Sequence, residues 1–474
     1  MVASEGDAQT ASWSDWPLRA DFAESAANLA HYLALRRRDL RPLQPRLTAL
    51  GLSSLGRCEA HVLPALRAVG AALAALDGDH GRPRPGFEEF FAGEKALAAR
   101  SEAIFGNRSR GRAAALLVTC PSEAADEPKF MLQLAERGVE AVRINCAHDD
   151  ADAWGRMIGH VRAAESTTGR RMKVLMDLAG PKIRTGAVSA RKGEQRIFTG
   201  DILAITAPGK LGKLKHSEAR FGVECTLPEA IRHAEAGRQI FIDDGKLSAV
   251  ALRVEDWGLL ARVTMAPEKG MKLKPEKGLN FPGVDLGVAA MTEKDHADLD
   301  FVAQNADGIS FSFVHCAEDV AMLQDALAQR RPKDWRTLSL ILKIETRQAV
   351  DNLPEIVVRA AGRQPAAIMI ARGDLALEIG FARTAEMQEE ILWIGEAAHL
   401  PVIWATQVLE HLVREGAPVR GEMTDAAMAA RAECVMLNKG PYLLEAIDTL
   451  DSLLMRMGEH QHKKTPQLRR LMSW

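Results

Sequence analysis

Between about residues 113 and 450, short apolar runs alternate with stretches of helical periodicity. The runs are 114–119 (AALLVT), 141–145 (AVRIN), 173–178 (KVLMDL), 308–313 (GISFSF), 340–345 (LILKIE), 366–374 (AAIMIARGD), 401–407 (PVIWATQ) and 434–438 (CVMLN). Each is too short for a helix and reads as a strand buried on both faces. Helical periodicity covers 128–137, 151–165 and 347–361, the last closed by Gly362. About eight apolar strands, mostly separated by helices, suggest a closed (β/α)8 barrel rather than an open sheet.

Two stretches break this rhythm. Residues 187–276 are β-rich, with runs at 202–205, 239–242, 247–254 and 259–265 and a turn at Asp243-Asp244-Gly245. An insertion after the third strand sits over the mouth of a barrel, where a small β-domain acts as a lid that excludes water. Residues 1–112 read as helical: about 22–38, then 54–76 with Ser54 as N-cap and Asp77-Gly78 as stop, then 90–104. The predicted organisation is an α/β chain. An N-terminal helical extension covers 1–112. The first part of a TIM barrel covers 113–186, an inserted small β-barrel lid 187–276, and the rest of the barrel with a basic tail 277–474. The tail is expected to pack Leu471 and Trp474 on the surface.

Every predicted strand ends in a polar residue: Thr119, Arg143 and Asn145, Asp177, Ser312, Lys343 and Glu345, Arg372 and Asp374, Thr406 and Gln407, Asn438. Packing alone does not require polar groups at one end of all the strands; a shared site on that face does. Glu345 and Asp374, on neighbouring strands, are a candidate pair for a hard divalent cation.

Composition narrows the class. The chain has 474 residues with a net charge of −2, so no strong field attracts nucleic acid or an anionic membrane. Its six cysteines are scattered without a CxxC pair, which favours a reduced, cytoplasmic setting over a disulfide framework. The first residues lack a basic and then apolar leader, and no apolar run is expected to reach the length of a membrane span.

The motifs RINCAH (143–148), DLAGPKIRTG (177–186), IFIDDG (240–245), KGLNFPGVDL (277–286), LKIE (342–345), ARGDL (371–375), ATQVLE (405–410) and VRGEMTD (419–425) lie in one order along the chain. In that order they resemble the pyruvate kinase family. The resemblance implies a lidded (β/α)8 barrel. It also implies transfer of the phosphoryl group of phosphoenolpyruvate to ADP, giving pyruvate and ATP in glycolysis, with Mg²⁺ or Mn²⁺. By resemblance, Glu345 and Asp374 ligate the metal. Lys343 meets the phosphoryl group and the enolate oxygen, Arg143 grips the phosphate, and Thr406 joins a proton relay. Gly373 and Asp374 hold the substrate carboxylate, and Ser312 lines the site. Asn145, His148, Arg184 and Lys277 match nucleotide-side contacts, and Asp244 matches the acid of the lid.

Departures from the family pattern refine this. The family's K⁺ ligands come from the ends of the second and third strands, and here those positions are Asn145, Ala147, Asp177 and Leu178. Two hydroxyls have become hydrocarbon, and Lys182 stands where Glu is usual. The implied outcome is an ammonium in place of K⁺ and no K⁺ requirement. Ala376 replaces a glycine, and Asn438-Lys439-Gly440-Pro441 replaces the usual Ser-Gly-Glu-Thr. The family's C-terminal effector domain and its sugar-phosphate control are expected to be missing, with a possible homo-oligomer contact expected from the N-terminal helices. Two other readings stand beside the kinase. One is a metal-dependent pyruvate or oxaloacetate carbon–carbon lyase, opposed by the lid with Asp244 and by Lys343. The other is a non-catalytic phosphoenolpyruvate-binding regulator, opposed by the retained Arg143, Lys343, Glu345, Asp374 and Thr406.

Overall fold

The computed structural model describes residues 1–108, 111–212, 217–284, 287–467 and 470. Residues 109–110, Asp285 and Leu286 of the KGLNFPGVDL motif, and Leu471 and Trp474 of the tail lie outside the described residues.

Three strands open the barrel: β1 Ala115–Thr119, β2 Ala141–Asn145 and β3 Lys173–Asp177. The chain then builds a second sheet from β4 Thr185–Ala190, β5 Ile202–Thr206, β6 Phe221–Cys225, β7 Gln239–Ile242, β8 Leu247–Glu255, β9 Gly258–Met265 and β10 Leu279–Asn280. It returns for β11 Gly308–Phe311, β12 Ser339–Ile344, β13 Ala366–Ala371, β14 Val402–Ala405 and β15 Cys434–Leu437. The eight barrel strands close in sequence order, and every pairing is parallel. Alternation along each strand explains the closure. Leu117, Leu175, Ile341, Met369, Ile403 and Met436 fill the interior. Their neighbours Leu116, Val118, Val174, Leu342, Ile370 and Leu437 face the surrounding helices.

The seven-stranded second sheet has a core of its own around Leu203, Ile205, Val223, Ile240, Leu259 and Val263. It begins two residues earlier than expected, at Thr185, and takes its last strand from 279–280. β4 was not expected because TGAVSA carries no clean apolar alternation; β6 alternates Phe221, Val223 and Cys225 into the core, but over five residues only.

Two boundaries shift in ways that matter for the site. The sixth strand stops at Ala371, and Arg372–Ile379 is a helix, so Arg372 and Asp374 occupy a helical first turn rather than a strand end. The expected helix over 347–361 is two, Arg347–Asp351 and Leu353–Arg363, because Pro354 supplies no N–H to continue the first ladder. Gly362 does not stop the second helix.

The extension comprises α1 Val2–Ala11, α2 Ala20–Arg36, α3 Gln44–Ala49, α4 Val62–Leu76, α5 Phe87–Phe90 and α6 Ala92–Phe105. α1 was not foreseen, and Ser54 caps nothing: α4 begins at Val62, after a 3₁₀ turn at Glu59–His61. α2 lies across the helices Leu353–Arg363 and Phe381–Ala397. Asn28 Nδ2 donates to Ala397 O at 2.8 Å, and Arg19 N donates to Gly362 O at 2.7 Å. A Cβ at Gly362 would stand 2.8 Å from Leu18 Cδ2 and 2.9 Å from Pro17 O, so the missing side chain at this glycine lets the extension approach closely. Ile104 and Phe105, each 1% exposed, join the cluster that fills the barrel interior and plug its amino-terminal floor. Just beyond, the buried Arg112 guanidinium bonds Asp451 Oδ1 at 2.5 Å and also meets Glu140 and Gly138 O. A hairpin of β16 Gln461–His462 and β17 Thr465–Pro466 follows the last helix. Its Lys463 pairs with Glu433 at the foot of β15, and its Lys464 pairs with Glu59 of the extension.

One expectation about apolar runs is revised. The 18 residues Glu59–Leu76 have a mean hydropathy of 1.3 and pass for a membrane span by length and composition alone. Here they form a turn and a helix whose Glu59 is buried against Tyr32 and Lys464. All six cysteines are free.

Candidate active site

The carboxyl ends of the strands and the inner edge of the second sheet enclose a cavity of about 420 Å³. The thirteen residues to which the resemblance gives a role line it: Arg143, Asn145, His148, Lys182, Arg184, Asp244, Lys277, Ser312, Lys343, Glu345, Gly373, Asp374 and Thr406. A second chamber of about 290 Å³ adjoins it, walled by Thr119, Arg143, Asn145, His148, Arg414, Asn438 and Lys439.

The floor is a network of charges held by register. Asn145 and Asp177 pair across β2 and β3, and Ser310 pairs with Asp177 across β3 and β11. The Arg143 guanidinium donates from Nε to Asp177 Oδ2 at 2.7 Å and from Nη1 to Thr119 Oγ1 at 3.2 Å. The Lys343 ammonium lies 3.0 Å from Glu345 Oε1 and 3.6 Å from Asp177 Oδ2, and donates to Ser312 Oγ at 2.8 Å. Burial pushes the Asp177 carboxyl up, but Arg143 and Lys343 outweigh burial and hold it below the usual carboxylate range. Glu345, 3% exposed, accepts the Phe313 N–H on Oε2 at 2.8 Å, which fixes the carboxylate from the β11 side.

On the sixth- and seventh-strand side, Thr406 Oγ1 accepts the Gly373 N–H at 2.9 Å. Thr406 has φ +65°, an outlier for a β-branched residue. Among the described residues, eleven that are not glycine have positive φ, and six of them line this cavity: Asp243, Asp244, Glu276, Phe313, Thr406 and Gln407. Strain held by surrounding structure concentrates at such sites. Arg372 does not serve the cavity as a free charge. It bonds Asp425 Oδ2 at 2.9 Å and the carbonyls of Ala405 and Thr406, and stacks over Trp404 at 4.7 Å. It braces the strained Thr406 turn. Ala376 lies inside the helix Arg372–Ile379 with negative φ, so its methyl carries no backbone strain.

The second sheet meets the barrel at the same place. The Asp243–Gly245 turn rests on the helix Arg372–Ile379, where a Cβ on Gly245 would stand 2.9 Å from Leu377 Cδ2. Lys277 reaches Asp243 at 3.3 Å, and Arg184 Nη1 donates to Glu276 O at 3.2 Å. His148 is held below its usual range by burial, then by Lys439 and Arg184.

Lys182 takes a position the sequence did not anticipate. Its ammonium sits on both oxygens of Asp374, at 3.1 and 3.0 Å, rather than on Asn145 or Asp177. Burial depresses it, and Asp374, Glu345 and Asp244 together raise it above the ordinary lysine range. Asn280, which the sequence reading passed over, donates from Nδ2 to Asp374 Oδ1 at 3.3 Å. Its presence in KGLNFPGVDL was the available signal.

No cluster of three or more His, Cys, Asp or Glu side chains suited to a metal exists among the described residues. Two carboxylates, Glu345 and Asp374, share the cavity, and each carries a cationic side chain, Lys343 on Glu345 and Lys182 on Asp374. This matches a hard ion such as Mg²⁺, which keeps waters and takes one or two carboxylates plus substrate oxygens.

Fold and site together define a lidded (β/α)8-barrel protein with a charged pocket at the carboxyl ends of its strands. The family pattern described as pyruvate kinase, barrel domain, matches residues 112–447. Curated relatives agree. A pyruvate kinase of Dictyostelium discoideum is 33% identical over 330 residues, 68% of this chain and 61% of that protein. One of Geobacillus stearothermophilus is 32% identical over 347 residues, 71% and 55% respectively. One of Mycobacterium tuberculosis H37Rv is 31% identical over 350 residues, 72% and 70%. The chain belongs to the pyruvate kinase family. It spans less than two thirds of the length of the first two relatives, and residues 1–111 lie outside the family match.

Proposed function

We propose that the protein transfers the phosphoryl group of phosphoenolpyruvate to ADP, a glycolytic step that yields pyruvate and ATP. The observation that carries this reading is the joined set Arg143–Asp177–Lys343–Glu345 on the cavity floor, with Asp374 and Thr406 on the same wall. Phosphoryl transfer demands positioning and charge neutralisation more than covalent chemistry, and this set provides both.

In the reaction the bond from phosphorus to the enol oxygen breaks, and a bond to the β-phosphate oxygen of ADP forms. The electron pair stays on the enolate, which takes a proton at its methylene carbon. Arg143, fixed from behind by Asp177 and Thr119, holds phosphate oxygens. The Lys343 ammonium neutralises charge that develops on the bridging oxygen. Thr406, whose oxygen accepts the Gly373 N–H, keeps its own proton free for a relay through water to the methylene carbon. The adjoining chamber takes ADP, with His148, Arg184 and Lys277 on the phosphate side. Glu345 and Asp374 would hold Mg²⁺ or Mn²⁺, which supplies charge neutralisation for the oxygens around the transferred group.

Activity needs no added K⁺ in this reading. Ala147 and Leu178 offer no side-chain oxygen, and the Lys182 ammonium provides a permanent positive charge in the cavity. The test is a coupled assay of phosphoenolpyruvate and ADP with Mg²⁺, with and without K⁺. Lys343→Met and Glu345→Ala should each lower turnover by at least ~10². Turnover that survives both substitutions overturns the site assignment. A strict K⁺ requirement overturns the role given to Lys182.

A further inference from the structure

Two strands carry the chain into and out of the lid, and both reach the same carboxylate. Lys182, three residues before β4, holds both oxygens of Asp374, and Asn280, at the end of β10, holds Oδ1. The outgoing and returning hinge strands are themselves bridged at Arg184 and Gly278. Asp374 is therefore a barrel anchor for both hinge strands as well as a proposed metal ligand. Around Gly278, a Cβ would lie 3.4 Å from Lys182 Cε, 3.6 Å from Asp244 Oδ1 and 3.9 Å from Asn280 Oδ1. The absence of a side chain at 278 leaves a short open path between the lysine stem and the acid on the lid edge.

We propose that Lys182 is a two-position latch: a divalent cation arriving at Asp374 displaces its ammonium, which passes across Gly278 to Asp244 and draws the lid edge inward. Asn280 keeps the returning strand fixed while this happens. The proposal rests on Asp374 being a metal ligand, as argued above.

The physical reason is competition. A lysine ammonium bound to both oxygens of one carboxylate and a divalent ion on the same oxygens repel each other at contact distance. Besides Asp374, the acids that act on the ammonium are Glu345 and Asp244, the latter facing the lysine stem across Gly278. Glu345 is the other proposed metal ligand, so Asp244 is the partner that remains. Its carboxylate stands on the turn that rests on Leu377, so a pull on Asp244 is a pull on the lid's contact with the barrel.

The test uses the full chain with Mn²⁺ alone, without substrates. Mn²⁺ affinity is read by electron paramagnetic resonance titration, and lid-edge order by hydrogen exchange at residues 243–247. Lys182→Met removes the competitor and should tighten Mn²⁺ binding about tenfold, the equivalent of one charge-assisted hydrogen bond. In the parent, Mn²⁺ should slow exchange at 243–247; in Lys182→Met and in Asp244→Asn it should not. Unchanged or weaker Mn²⁺ binding by Lys182→Met overturns the latch, as does slowing of lid-edge exchange in that variant. Asp374→Asn separates the two levels. Parent-like Mn²⁺ binding by Asp374→Asn removes the metal assignment and the latch with it. Loss of binding there, with no gain in Lys182→Met, removes the latch alone.

Discussion

Phe105 closes the barrel from the end opposite the cavity, and Phe105→Ala tests how much the extension contributes to the fold. A fully buried Phe hides ~200 Å². At ~25 cal/mol per Å² that is ~5 kcal/mol of transfer free energy as an upper figure. Its neighbours in the interior cluster include Ala115, Ala141, Ala367 and Cys434, small side chains on a closed sheet. They cannot grow into the space, so most of the cavity persists and a loss of ~3–5 kcal/mol is expected. Phe87→Ala is the matched control, because Phe87 belongs to the same extension but is 73% exposed. Its effect should stay within ~0.5 kcal/mol. Denaturant unfolding followed by tryptophan fluorescence and helical dichroism measures both. A Phe105→Ala protein within ~1 kcal/mol of the parent would show that Phe105 does not plug the floor.

Arg112→Ala removes the fully buried guanidinium that bonds both Glu140 and Asp451 and should cost ~3–5 kcal/mol in the same assay; a loss below ~1 kcal/mol refutes the buried triad. Glu396 is pushed up to about 7 by burial, against an ordinary value of 4.5. Its folded form therefore holds a proton that the unfolded chain releases, and the stability it costs is fully felt above pH 7 and relieved as pH falls toward 4.5. Glu396→Gln should gain up to ~3 kcal/mol at pH 8 and almost nothing at pH 4.5; an equal gain at both, measured as the difference from the parent, would be fatal to this account. His399, pushed down to about 4 by burial, opposes it, losing stability as pH falls below 6.5.

The barrel was legible because its strands are buried on both faces: LILKI and AAIMIA allow little else. The cavity was legible because polar residues ended each run. What escaped reading depends on contacts between distant segments. Gly362 looks like a helix stop by its own chemistry, and only Pro17 and Leu18 of the extension explain it. Arg372 has the look of a catalytic cation, but Asp425 and Trp404 turn it into a brace. Lys182 carries no local sign of choosing Asp374, because that choice is made by where the lid hinge returns to the barrel. β4 was missed because its half-exposed TGAVSA carries no clean period, and β6 because its alternation spans only five residues.

The docking of α2 also bears on the order in which the chain is made. Asn28 meets the carbonyl of Ala397, 369 positions later, and Ser25 meets His399. At ~10 residues per second, the buried faces of the first helices wait roughly half a minute for the helices they cover. Only then does the tail arrive, whose Lys464 closes on Glu59 and whose Lys463 closes on Glu433. During synthesis the extension is thus made before the barrel it covers and is among the last parts to be locked in place. Apolar surface on α2 and α4 stays open to a ribosome-bound chaperone for most of that interval.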